Sequence, residues 1–248
     1  MAETTFPQCD APNRPFMAAM KTGTKVVILY RPRCGCWKCP ACAEFNKWQW
    51  GKRATYGALA LLDNGTPLSF LTLTSHPRAW SAAKTLEIFQ KAWPSLRKRA
   101  TRAGGKFEYF IVPEKHENGR LHLHGIVSVA LPVRFWKDSA ASVGLGYQAD
   151  ARPVADAYDV ARYTTKHLQK QLETQGWPPN FRRVRRSRNW PKEPPQEPRA
   201  GWEYEVFLGE RNAEKARTQM VLDGYTIIEA SGGNAWEVQA CIDQVTQI

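Results

Sequence analysis

The sequence predicts an α+β fold built on a mainly antiparallel β-sheet with flanking helices, and three observations carry that prediction. Strand-like and helix-like runs are mixed along the chain. Two central strands, Phe107–Val112 and the run around Leu121–Val127, are separated only by a polar turn ending at Gly119, so they form a hairpin. No internal repeat or low-complexity block signals a solenoid or an array.

The elements follow in order. Residues 1–24 have little periodicity and read as an irregular arm. Lys25–Tyr30 is a buried strand, followed by a cysteine run at 34–42 and a helix over about Ala43–Leu62, stopped by Asp63-Asn64-Gly65. Leu68–Thr74 alternates and is rich in β-formers, so it is a strand. A long helix fills about 79–103, with Pro94 expected to kink or divide it. After the hairpin come a short helix beyond Val133, a glycine-rich turn over Val143–Gly146, and a helix over about Ala155–Thr174 ended by Gly176 and Pro178-Pro179. Residues 181–199 are basic and proline-bearing. The tail, 201–248, offers a strand (Glu203–Leu208), a helix (Arg211–Leu222), a strand (Tyr225–Glu229) and a last amphipathic stretch. The domain reading is an arm, a main domain over 25–200, and a C-terminal extension.

With 248 residues and 43% hydrophobic content the chain can bury a real core. Its formal net charge of +12 points to a polyanionic partner, nucleic acid first and an anionic membrane second. No apolar run approaches the ~20 residues of a membrane span, and residues 1–16 lack a signal-peptide layout. A cytoplasmic protein is expected, and its six cysteines then read as ligands or core residues rather than as a disulfide frame.

Four stretches carry chemistry. His122 and His124 flank Leu123, and strand alternation puts both imidazoles on one sheet face. A pair so placed can share a divalent ion, whereas the plain alternative is two half-buried histidines bonded to neighbours. The returning hairpin brings Glu114 beside His122 as an anionic third ligand, with His116 and Glu117 also in reach. Two imidazoles and a carboxylate with open positions suit Mg²⁺ or Mn²⁺ acting on a phosphoryl oxygen, and zinc competes for the same donors. Tyr163, Lys166, His167 and Lys170 fall on one helical stripe next to Arg162. A phenol there is either a nucleophile supported by cations or a plain phosphate contact. Tyr158, five residues earlier, lies well off that stripe.

The third stretch is Cys34, Cys36, Cys39 and Cys42, four thiols in nine residues. It reads as a structural zinc site, with a ligand from elsewhere an option, or as no metal site; Cys9 and Cys241 are taken as ordinary residues. The fourth is the basic run with Arg182, Arg183, Arg185, Arg186 and Arg188 between Phe181 and Trp190. Guanidinium groups pair with phosphate and rings stack on bases, although a charge run is more often a solvated face.

Taken together these residues resemble rolling-circle replication initiators of the HUH endonuclease superfamily. Phe70-Leu71-Thr72-Leu73-Thr74 is similar to that family's structural first motif, His122-Leu123-His124 to its His-hydrophobic-His metal motif, and Tyr163-Thr164-Thr165-Lys166 to its Tyr-x-x-Lys motif. The cysteine run leading into a helix with Trp48, Trp50 and Arg53, and the stretch Ser187-Arg188-Asn189-Trp190-Pro191, resemble initiators of small single-stranded-DNA phages and related plasmids. The resemblance implies a nicking domain with the histidines on a middle strand and Tyr163 on an adjacent helix. It implies metal-dependent cleavage of origin DNA through a 5′-phosphotyrosyl link, with Lys166 orienting phosphate, in a bacterial cytoplasm beside host helicase and polymerase. A single-strand transposase of the same superfamily and a non-catalytic DNA-binding regulator are the alternatives.

Overall fold

A computed structural model describes residues 9, 15–30, 32–76, 82–115, 121–163, 181–193, 202–206 and 213–229. Its elements in chain order are β1 (Met17–Lys21), β2 (Val26–Tyr30), α1 (Pro40–Asp63), β3 (Ser69–Thr74), α2 (Ala82–Gly104), β4 (Tyr109–Lys115) and β5 (Leu121–Val127). They continue as α3 (Val133–Ser142), β6 (Gln148–Pro153), α4 (Ala157–Tyr163), β7 (Arg185–Arg186), β8 (Trp202–Val206), α5 (Ala213–Leu222) and β9 (Thr226–Glu229). Contacts divide the chain into Met1–Asn46 with Pro195–Ile248, and Lys47–Pro194. The α+β class holds.

In the first unit β1 and β2 form an antiparallel hairpin, β8 adds to β1 antiparallel, and β9 adds to β2 parallel. The resulting order is β8-β1-β2-β9. The parallel strand needs a crossover, and α5 supplies it between β8 and β9. Met220 of α5 packs on Ala18 and Val27. Two expectations change here. Residues 17–21 are a strand rather than part of an irregular arm, and Val26–Tyr30 pairs with the C-terminal tail rather than with the central sheet. Met17–Lys21 contains two alanines and a lysine, a weak β signal that strand pairing on both sides overrides.

The second unit is a five-stranded sheet in the order β6-β3-β5-β4-β7, antiparallel throughout. Its odd-numbered positions, Leu71, Leu73, Ile111, Leu121 and Leu123, join Phe89, Trp93 and Leu96 of α2 and Trp136 of α3 in one buried cluster. On the opposite face Phe110 meets Trp50 of α1 at 6.2 Å and Trp190 at 5.5 Å between ring centroids. The alternation predicted for β3 and for the hairpin is therefore real, with one side facing α2 and α3.

Pro94 does not divide α2, which runs from Ala82 to Gly104 as one helix. Proline has no N–H, so the carbonyl of Gln90 one turn earlier loses its helical donor. Arg185 Nη1 donates to that oxygen at 3.4 Å, while its guanidinium lies over the Phe89 ring at 5.3 Å. Buried Trp93 and Leu96 flank the exposed proline and hold the helix down. Strands β6 and β7 escape the sequence reading because Gln148–Pro153 and Arg185–Arg186 are polar edge segments with little apolar alternation.

This arrangement gives a double-mutant prediction. Arg185→Ala should lower unfolding stability by about 1 kcal/mol through the lost carbonyl bond. In a Pro94→Ala background, where residue 94 can again donate to Gln90, chemical denaturation should show a smaller loss. Equal losses in both backgrounds would contradict the assignment.

Candidate metal centre and its phenol

The site begins with strand register. His122 stands opposite Glu114 of β4 and Thr74 of β3, and His124 stands opposite Val112 and Thr72. All six side chains share one face because their strand parity is the same. The two imidazole rings are nearly parallel, with centroids 6.0 Å apart and planes 21° from one another. The hairpin thus delivers Glu114 as the sequence suggests, whereas His116 and Glu117 lie outside the described residues.

Each imidazole is tied on its Nδ1 side. Thr72 Oγ1 lies 3.2 Å from His124 Nδ1, and Thr74 Oγ1 lies 3.5 Å from His122 Nδ1. A hydroxyl on Nδ1 leaves Nε2 as the outward ligand atom, the usual role of a partner behind a metal-binding histidine. His124 Nε2 approaches Glu114 Oε2 to 2.6 Å, with 7% and 17% of the two side chains exposed. An imidazole nitrogen and a carboxylate that close need a proton or a cation between them.

The donor set fits a divalent ion. The ligand atoms of Glu114, His122 and His124 lie within 4.8 Å of one another. Three donors on one face of an octahedral Mg²⁺ or Mn²⁺ are about 3 Å apart, within reach of small side-chain adjustments. The remaining coordination positions would be open to water or a phosphate oxygen.

Tyr163 closes α4 and is buried, 5% exposed. Its ring stacks on Phe70, centroids 4.1 Å apart at 18°, which places it on the histidine face of the sheet. The hydroxyl accepts from the Gly125 N–H at 3.1 Å and donates to the Leu71 carbonyl at 3.4 Å. Burial pushes this phenol well above its ordinary value, against the hydrogen bonds from Thr72 and Gly125. Arg152 and Asp150 of β6 act in opposite directions on it. The same Thr72 that touches Tyr163 also touches His124, so phenol and metal ligands are one hydroxyl apart.

That differs from the expected phenol ringed by cations. Lys166, His167 and Lys170 lie outside the described residues, as do the side chains of Arg162 and Tyr158. Thr72 is the member of the site that sequence reasoning missed. Its signal was present, since it shares strand parity with Phe70 and Thr74 in a strand taken as purely structural.

The basic segment is corrected in one respect. Phe181 and Trp190 are core residues, 7% and 1% exposed, and do not offer their rings to bases. Trp190 Nε1 donates to the Arg53 carbonyl at 3.2 Å, and its indole fills the space left by the missing side chain of Gly57. Ser187 Oγ accepts from the Tyr109 N–H at 3.1 Å, so the segment is pinned at both anchors. Arg182, Arg186 and Arg188 are exposed, Arg183 is half-buried, and Arg185 is engaged with α2.

The cysteine cluster is also corrected. The four sulfurs that gather within 4.8 Å are those of Cys9, Cys34, Cys39 and Cys42. Cys36 is exposed, its sulfur accepting only from the Lys38 N–H at 3.4 Å among the described contacts. Cys9, read from sequence as ordinary, takes its place, because so short a spacing cannot turn every thiol of a tight knuckle inward.

Residues 68–172 match the family model of the replication-associated protein ORF2 group. The matched span holds Glu114, His122, His124 and Tyr163 and excludes the cysteine cluster and Arg182–Arg188. It is consistent with a rolling-circle replication initiator. No curated protein and no solved structure matches the chain. Among the described residues no helix is long and apolar enough to cross a membrane.

Two predictions arise from this geometry. Thr72→Val removes the hydroxyl behind His124 at nearly constant shape and should weaken Mn²⁺ binding about tenfold by calorimetry; unchanged affinity would remove Thr72 from the site. The second concerns alkaline stability. A phenol raised in the folded state contributes stability that is present below its unfolded value of about 10 and is lost as pH rises above it. Tyr163→Phe should therefore lose less stability than the parent between about pH 10 and 12, with a slope difference of up to about 1.4 kcal/mol per pH unit. Parallel pH profiles would contradict the burial of this hydroxyl.

Proposed function

We propose that this chain is a DNA-nicking and strand-transfer enzyme of the HUH type that initiates rolling-circle replication. The observation that carries the reading is the union of the replication-associated match over residues 68–172 with a Glu114–His122–His124 donor set one hydroxyl away from Tyr163. In this reading Tyr163 Oη attacks the phosphorus of a phosphodiester in single-stranded or melted origin DNA. The bond from phosphorus to the 3′ oxygen breaks, a 5′-phosphotyrosyl link forms, and the departing 3′ oxygen takes up a proton to become the primer hydroxyl.

A divalent ion, Mg²⁺ or Mn²⁺, on Glu114, His122 and His124 supplies Lewis-acid polarisation of the phosphoryl oxygen. The chain itself does the rest. Thr72 and Thr74 fix the imidazole orientations, and Thr72 gives the phenolic proton a route toward His124. Tyr163 must first exchange its bonds to Gly125 and Leu71 for the phosphate, so displacement of the end of α4 precedes attack. Lys166 orients the phosphate, while Arg182, Arg186 and Arg188, with Arg162, Arg183, His167 and Lys170, hold the DNA backbone by charge. Arg185 is withdrawn from that set by its helix contact. Origin DNA is the partner, with host helicase and polymerase acting downstream in a bacterial cytoplasm.

The buried phenol favours one second reading, metal-dependent hydrolysis by water with Tyr163 as a structural strut. One experiment separates the two. Single-stranded origin DNA incubated with Mn²⁺ and the protein should give a covalent protein–DNA band on a denaturing gel. Tyr163→Phe should abolish that band while Tyr158→Phe keeps it. Cleavage with no conjugate supports hydrolysis, and no cleavage with undiminished duplex binding supports a DNA-binding regulator.

A further inference from the structure

The cysteine cluster lies outside the matched span and outside the chemistry just described. Cys34 Sγ and Cys42 Sγ are 3.3 Å apart, and Cys39 Sγ and Cys9 Sγ are 3.7 Å apart. Four thiolates at about 2.3 Å from a tetrahedral ion stand about 3.8 Å from each other. All four cysteines are free thiols, so the spacing is not that of disulfides. A multinuclear iron–sulfur cluster would spread its ligands wider than a single ion does. Soft thiolates exclude Mg²⁺ and Ca²⁺.

The local backbone is shaped for such a charge. Gly35 adopts φ +67°, the left-handed conformation that glycine accepts freely, and turns the chain sharply between Cys34 and Cys36. The Cys36 N–H then donates to Cys34 Sγ at 3.4 Å, and the Cys34 N–H donates to Cys9 Sγ at 3.5 Å. Amide donors of this kind offset the double negative charge of a tetrathiolate site. Cys39 directly precedes α1 and Cys42 lies in its first turn, where the helix dipole favours anions. Arg33 is buried alongside, donating to the Ala41 carbonyl at 3.3 Å and lying over the Phe45 ring at 5.0 Å. Cys9, Ala41 and Cys42 pack as one buried cluster, leaving little room for a water ligand.

We propose that Cys9, Cys34, Cys39 and Cys42 bind one structural zinc ion that staples the N-terminal arm at residue 9 to the start of α1. Binding releases the thiol protons and yields a closed four-sulfur shell with no catalytic position. Cys36 stays outside it as a reactive surface thiol.

The test uses the full chain, purified without added chelator. Elemental analysis should find one zinc per chain in the parent and in Cys36→Ser. Cys9→Ser should lose most of its zinc, and Cys9→His should recover it, since imidazole is an accepted fourth ligand. Should Cys9→Ser fail to fold, cobalt exchange into the parent decides, because four thiolates give an intense tetrahedral spectrum with sulfur-to-cobalt charge transfer. The proposal is overturned by a metal-free parent that also takes up no cobalt, by iron in place of zinc, or by zinc that Cys36→Ser removes and Cys9→Ser retains. None of these readouts depends on DNA cleavage.

Discussion

The antiparallel register of β3, β5 and β4 is the constraint on which the site depends. With Thr72 and Thr74 on one side of β5 and Val112 and Glu114 on the other, every even-numbered side chain of the three strands faces the same way. A slip by one residue would send both imidazoles into the cluster beneath α2 and bring Leu121 and Leu123 to the surface. Burying five aliphatic strand residues on the far side makes that slip costly, so the core holds the ligands in place without touching them. Gly125 fits the same logic. A Cβ there would run into Ile111 Cδ1 and the Phe110 carbonyl, so only glycine lets β5 keep this pairing directly after the histidines.

Along the other face the sheet changes character from one end to the other. Phe70, Phe110 and Ile126 form an apolar row, next to which come Thr72 and His124, then Thr74, His122 and Glu114. Tyr163 sits at the border, its ring against Phe70 and its hydroxyl among polar groups. The ring's stacking stabilises α4 on the sheet, and the same burial disfavours a phenolate. A buried nucleophile is thus restrained until something displaces it, and substrate binding is the natural agent for that displacement.

Much of this was legible in the sequence. Alternation gave β3 and β5, the short polar turn gave the hairpin, and the hairpin gave Glu114. What escaped reading was set by tertiary context. The edge strands β6 and β7 have too little apolar alternation to announce themselves, and β1 forms only because strands from both ends of the chain pair with it. Cys9 is 25 positions from Cys34, and no local pattern connects them. Phe181 and Trp190 looked like stacking platforms because composition cannot say which way a ring faces. The slot at Gly57 turns Trp190 inward instead. Pro94 looked like a helix breaker because its rescuer, Arg185, is remote in sequence.

The central claim is that Glu114, His122 and His124 assemble one divalent-ion site on the face that carries Tyr163. Anomalous diffraction from crystals grown with Mn²⁺ and a short single-stranded oligonucleotide addresses it most directly. The account predicts one manganese peak at about 2.0–2.3 Å from a Glu114 oxygen and from Nε2 of both histidines, with a phosphate oxygen in an open position and Tyr163 Oη turned toward its phosphorus. Manganese bound elsewhere, or bound through only one of the three residues while Tyr163 stays locked to Gly125 and Leu71, would contradict it.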